Sequence, residues 1–126
     1  FSGRRILVVE DNELNREIAE EILRCMDTEV ESACDGARGL AMFEESAVGH
    51  YDAVLMDVQM PVMNGYQATK AIRQLSRPDA GTVPIIAMTA DAFAEDVAAA
   101  KAAGMTAHLA KPLDIPAMMQ ILSKYL

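Results

Sequence analysis

Three short apolar runs, Ile6-Leu7-Val8-Val9, Ala53-Val54-Leu55-Met56 and Ile85-Ile86-Ala87-Met88, carry no polar residue. Such runs mark strands covered on both faces. The charged lead and apolar run from Arg4 to Val9 form the first strand, Glu29 to Ala33 a shorter second, and Thr106 to Ala110 a fifth. Between the strands the period changes. Leu14, Ile18, Ala19, Ile22, Leu23 and Met26 recur at helical spacing, with Asn12 placed to cap them and Glu13 and Glu17 near the positive end of the dipole. Asp35-Gly36 turns into a helix from about Ala37 to Ser46, and an irregular loop bracketed by Pro61 and Gly65 precedes one from Tyr66 to Leu75. An alanine-rich helix from Phe93 to Ala103 stops at Gly104. Asp114 caps the last, which has Pro116 in its first turn and Met118, Met119, Leu122 and Leu126 on one face.

Strict strand-helix alternation with short connections implies right-handed crossovers and helices on both faces of a parallel sheet. The expected fold is α/β, a flavodoxin-like doubly wound (βα)5 arrangement with strand order 2-1-3-4-5 and its switch point between strands one and three. At 126 residues the chain has room for one domain, 1–126, and no low-complexity stretch divides it. A net charge of −8 argues against direct nucleic-acid binding, and no apolar run is long enough to span a bilayer. A soluble, cytoplasmic domain with no direct membrane contact is expected, and Cys25 and Cys34, lacking metal-ligand spacing, read as buried free thiols.

In a parallel sheet the residues that follow the strands share one edge. Here these are Glu10-Asp11, Asp57, Thr89 and Lys111-Pro112. Three carboxylates crowded together repel one another unless a cation joins them, so the set suits Mg²⁺ beside a nucleophilic aspartate. Asp57 follows the central strand and is the expected nucleophile, with Glu10, Asp11, Asp57 and the Gln59 backbone carbonyl around the metal. Lys111 and the Thr89 hydroxyl are placed to hold phosphoryl oxygens. Asp52, roughly 17 Å away at the far end of the same strand, should be an ordinary solvated acid.

Val9-Glu10-Asp11-Asn12, the run from Met56-Asp57 through Met60-Pro61 to Gly65, Met88-Thr89-Ala90 and Lys111-Pro112-Leu113 resemble, in order, the motifs of response regulator receiver domains. The resemblance implies that Asp57 accepts a phosphoryl group from a histidine kinase or histidine phosphotransfer domain and slowly loses it by hydrolysis. It implies Mg²⁺ as cofactor, with Mn²⁺ able to substitute, and a cis Lys111-Pro112 peptide. It further implies a switch in which Thr89 moves towards the phosphate and a downstream protein reads the face of the fourth helix, fifth strand and fifth helix. The family's aromatic switch position is His108 here, a smaller and titratable ring. Gln59 and Asp91 fall where the phosphoryl lifetime is tuned. The lead over residues 1–4 looks like a linker remnant, and with Asn12-x-x-Asn15-Arg16 it resembles the C-terminal receivers of hybrid sensor kinases, the alternative being a stand-alone regulator. Such a parent would be a protein-histidine kinase, whereas the domain itself catalyses only its own phosphorylation and dephosphorylation.

Three rival readings fit the residues less well. A haloacid-dehalogenase-type phosphatase usually has a second aspartate two residues after the nucleophile, where this chain has Gln59. A flavodoxin-like FMN carrier needs a Ser/Thr/Gly-rich first loop, and Glu10-Asp11-Asn12-Glu13 would repel its phosphate. A receiver that never accepts phosphate conflicts with the full set of site residues. Neither His108 nor His50, which sits in a polar turn with no partner legible in the sequence, has the setting of a phosphorelay donor.

Overall fold

A computed structural model of the chain describes residues 2–60, 62–90 and 94–126, with side chains described for all of these except 94–96. The strands are β1 (Arg5–Val9), β2 (Glu29–Ala33), β3 (Ala53–Asp57), β4 (Ile85–Thr89) and β5 (Ala107–Ala110). The helices are α1 (Glu13–Cys25), α2 (Gly36–Glu45), α3 (Gly65–Arg73), α4 (Ala94–Ala103) and α5 (Ile115–Tyr125). All four strand pairings are parallel and the order is β2-β1-β3-β4-β5, as the alternation predicts. Phe93 and Pro61, placed by sequence in the fourth helix and before the third, lie outside the described residues.

Alternation along the central strands divides the core in two. Leu7, Val9, Val54, Met56, Ile85 and Ala87 face Phe43, Ala68, Ile72 and Ala100 on one side of the sheet. Ile6, Val8, Leu55, Ile86 and Met88 face Ala19, Leu23, Met118 and Leu122 on the other. Every residue of β3 is buried, consistent with its run of apolar side chains being covered twice.

Polar residues set the helix starts. Asn12, Asp35 and Asp114 each accept a hydrogen bond from the backbone three residues on, and Asn64 with Gln67 forms a reciprocal capping box before α3. Gly104, at φ 103°, follows α4 in the left-handed region that favours glycine. At Gly65 the requirement is space, because an added Cβ would lie 2.2 Å from the Asp57 carbonyl oxygen.

Three sequence expectations need correction. Leu14 and Ile18 of α1 are 66% and 41% exposed, so only Ala19, Ile22, Leu23 and Met26 of the apolar stripe reach the core. Met119 is 47% exposed because it is turned a full helical step away from Met118, and Met118 and Leu122 alone are fully buried. Cys25 and Cys34 are exposed: Cys25 is turned away from the α1 face that buries Leu23 and Met26, and Cys34 follows Ala33, the last paired residue of β2.

The amino-terminal edge of the sheet is fastened by charge. Asp52, half-buried rather than freely solvated, accepts the Arg5 backbone N–H at 2.8 Å and lies 3.6 Å from Arg4. His50 has partners after all. Arg5 donates to its Nδ1 at 3.1 Å, which leaves Nε2 to donate to Glu31 at 2.8 Å. Arg77 ends α2, donating to the carbonyls of Phe43, Ser46 and Ala47 at 2.6, 2.9 and 2.9 Å while pairing with Asp79 at 2.6 Å.

Candidate functional site

The parallel register delivers four strand ends to one edge. Glu10 follows β1, Asp57 closes β3, Thr89 closes β4 and Lys111 follows β5. Backbone bonds tie the loops together there: Val58 donates to the Met88 carbonyl at 3.2 Å, and Lys111 donates to the Thr89 carbonyl at 2.8 Å. The Lys111-Pro112 peptide is cis.

Glu10 and Asp57 are buried, at 1% and 4% exposure, whereas Asp11 is exposed. One oxygen from each of the three carboxylates lies within 4.8 Å of the other two. Lys111 enters between the buried pair, with Nζ 2.8 Å from Glu10 Oε1 and 3.1 Å from Asp57 Oδ1. The Asn12 N–H donates to Glu10 Oε2 at 3.3 Å. Glu10 is thereby held at both oxygens, even before any ion is considered.

Electrostatics reflect the crowding. Burial pushes the Glu10 carboxyl above its usual range, the Asp57 carboxylate adds to the rise, and Lys111 only partly opposes it. Burial alone would lower the Lys111 ammonium, but its hydrogen bonds to Glu10 and Asp57 outweigh this and raise it. One ammonium among three carboxylates leaves the cluster short of positive charge. A divalent cation with oxygen ligands fits this deficit, and the 4.8 Å spread of the carboxylate oxygens lets more than one reach the same ion.

These side chains line a cleft of about 220 Å³ that also takes in Asn12, Asn15, Gln59 and Thr89. Of the sequence candidates, Glu10, Asp11, Asp57, Gln59, Thr89 and Lys111 therefore meet at one place. His108 does not join them. It is exposed on β5 and borders a separate recess with Tyr66, Val97 and Ala100, which Val58 and Thr89 share with the cleft. Asp91 lies outside the described residues.

Sequence reasoning overlooked Asn15 as a cleft residue and Arg16, whose Nη1 donates to the Glu10 carbonyl at 3.0 Å. Their spacing from Asn12 was a usable signal, since residues three and four apart share a helix face and here face the acid pair just before it.

A family model described as the response regulator receiver domain matches residues 6–123. The chain belongs to that family. It is 37% identical over 122 residues to hybrid signal transduction histidine kinase L of Dictyostelium discoideum, a match covering 96% of this chain and 7% of the kinase. The receiver thus spans a small fraction of the relative it matches. Among solved structures, the receiver domain of a sensor histidine kinase from Pseudomonas aeruginosa PAO1, with magnesium coordinated in its active-site cleft, is 38% identical, with a TM-score of 0.87 over 98% of both chains. The co-crystal structure of the Saccharomyces cerevisiae histidine phosphotransfer protein Ypd1 with the receiver domain of the response regulator Ssk1 matches at a TM-score of 0.86 and 27% identity, covering 99% of this receiver and 90% of that chain.

Proposed function

We propose that this receiver takes a phosphoryl group on Asp57 from the phosphohistidine of a histidine kinase or histidine phosphotransfer protein, and that it works within a hybrid sensor histidine kinase. The observation that carries the reading is Lys111 Nζ, which bonds Glu10 and Asp57 at once beside a cleft open enough for a phosphoryl group.

In the transfer the P–N bond to the donor imidazole breaks and a P–O bond to an Asp57 carboxylate oxygen forms, the imidazole leaving as neutral histidine once protonated. Little else is asked of the protein than alignment and charge balance. Lys111 follows the charge, moving from the Asp57 carboxylate to an oxygen of the new acyl phosphate. Thr89, at the cleft wall, donates its hydroxyl to another, and Gln59 and Asp91 govern how water reaches the phosphorus. Glu10, Asp11, Asp57 and the Gln59 carbonyl would hold Mg²⁺, or Mn²⁺ in its place, which supplies the charge that draws phosphoryl oxygens to an acidic site. The same donor set, with no phosphate-binding glycine loop, speaks against the FMN carrier.

The output runs through the recess behind Thr89. Because Thr89, His108, Val97 and Ala100 border it together, displacement of Thr89 reaches both α4 and β5, and a downstream protein reads the α4, β5 and α5 face. Intact-protein mass after incubation with acetyl phosphate tests the chemistry. One phosphoryl group should appear on the wild type with Mg²⁺, and none on Asp57→Asn or after chelation; an adduct on Asp57→Asn would refute the assignment.

A further inference from the structure

The segment Asn12-x-x-Asn15-Arg16 folds back on the acid pair that precedes it. Asn12 Oδ1 accepts from the Asn15 N–H at 3.0 Å and the Asn12 carbonyl from the Arg16 N–H at 2.9 Å, which closes the first turn of α1. The Arg16 side chain then reaches over the turn to the Glu10 carbonyl, 3.0 Å away. Among the described residues this half-buried guanidinium forms no ion pair, so what it holds is a piece of backbone.

Glu10 is gripped at four points. Its N–H donates to the Ala33 carbonyl at 3.1 Å, and its two carboxylate oxygens accept from Lys111 and from the Asn12 N–H. The fourth contact, at the carbonyl, is the only one supplied by a side chain that does not line the cleft. It also lies on the peptide that links Glu10 to Asp11, and so sets the direction in which both carboxylates leave the chain.

We propose that Arg16 is a positioning residue of the divalent-cation site, clamping the peptide between Glu10 and Asp11 so that both carboxylates meet Asp57. The inference rests on the metal reading given above. Position and charge predict opposite signs, which makes the clamp separable from a general electrostatic effect. A cation near three carboxylates repels Mg²⁺, so deleting its charge alone would tighten binding. Deleting the clamp loosens the ligands and weakens it, by about tenfold for a residue supporting a metal ligand.

Calorimetric titration of the metal-free chain with Mg²⁺ alone, together with urea denaturation, separates these outcomes. Arg16→Met keeps the aliphatic stem and removes the donor. Its Kd for Mg²⁺ should rise about tenfold, and Arg16→Lys, which retains a donor, should recover most of the loss. Acetyl phosphate labelling of Arg16→Met should be slow at limiting Mg²⁺ and return to the wild-type rate at saturation. An unchanged or lower Kd in Arg16→Met, with the wild type binding Mg²⁺ and Asp11→Asn failing to, would overturn the clamp while leaving the metal site in place. If the wild type itself showed no saturable Mg²⁺ binding, the metal reading and the clamp would fall together.

Discussion

Glu10 is 1% exposed and shares Lys111 with Asp57, an arrangement that favours the chemistry proposed here at the expense of the resting fold. Its carboxyl is pushed upwards by burial and then by Asp57, so the folded state binds a proton more readily than the unfolded chain does. The stability cost is absent below the unfolded value near 4.5, appears as pH rises through it, and is complete above the raised folded value. Glu10→Gln should therefore be more stable than the wild type by about 1 kcal/mol at pH 7.5 in chelator, a common gain when a functional conflict is removed. The two urea midpoints should converge at pH 4, and added Mg²⁺ should stabilise the wild type more than the variant. Asp79 has the opposite sign. Its bond to Arg77 holds the carboxyl low, so that pair supports the fold at neutral pH and is lost only as pH falls through the lowered value.

At the scale of elements, the apolar runs of β1, β3 and β4 were legible because a strand covered twice has no polar face to conceal it. The caps Asn12 and Asp114 were legible for a local reason, a side chain reaching the backbone three residues ahead, whereas Asp35, read only as a turn residue, caps α2 in the same way. Contacts that close over long separations were not. Arg77 meets Ala47 across 30 residues and His50 meets Glu31 across 19, and no periodicity in the sequence points to either. The α1 stripe shows the same limit, since spacing gives its direction but not where the sheet beneath it ends. The site was legible through its motifs, yet the fit of α3 against it was not. A Cβ on Gly65 would press into the Asp57 backbone, so Gly65→Ala should cost about 3 kcal/mol in urea unfolding and abolish labelling by acetyl phosphate. At Gly81, where an added Cβ meets nothing within 4 Å, the same substitution should be neutral or stabilising by up to about 1 kcal/mol.

For the molecule as a whole, the cleft opens beside apolar surface. A smaller groove lined by Asn15, Ile18, Lys111, Pro112 and Leu113 adjoins it, with Leu14 exposed on the same helix. On the function proposed above, a protein that delivers a phosphohistidine to Asp57 docks over this rim, whereas acetyl phosphate needs none of it. Ile18→Asp should accordingly slow transfer from a phosphorylated histidine donor by tenfold or more, about the effect of losing one interface anchor, with labelling by acetyl phosphate unchanged in the same mass assay. The long span of the Lys111 bond also bears on when the domain becomes usable. Glu10 and its lysine are separated by 101 residues. Along the chain the acidic half of the site precedes its counter-charge, so a chain folded only as far as β4 would hold Glu10 and Asp57 without the ammonium that bonds them both. The charge balance of the cleft is thus complete only once β5 has paired with β4 and brought Lys111 to the sheet edge.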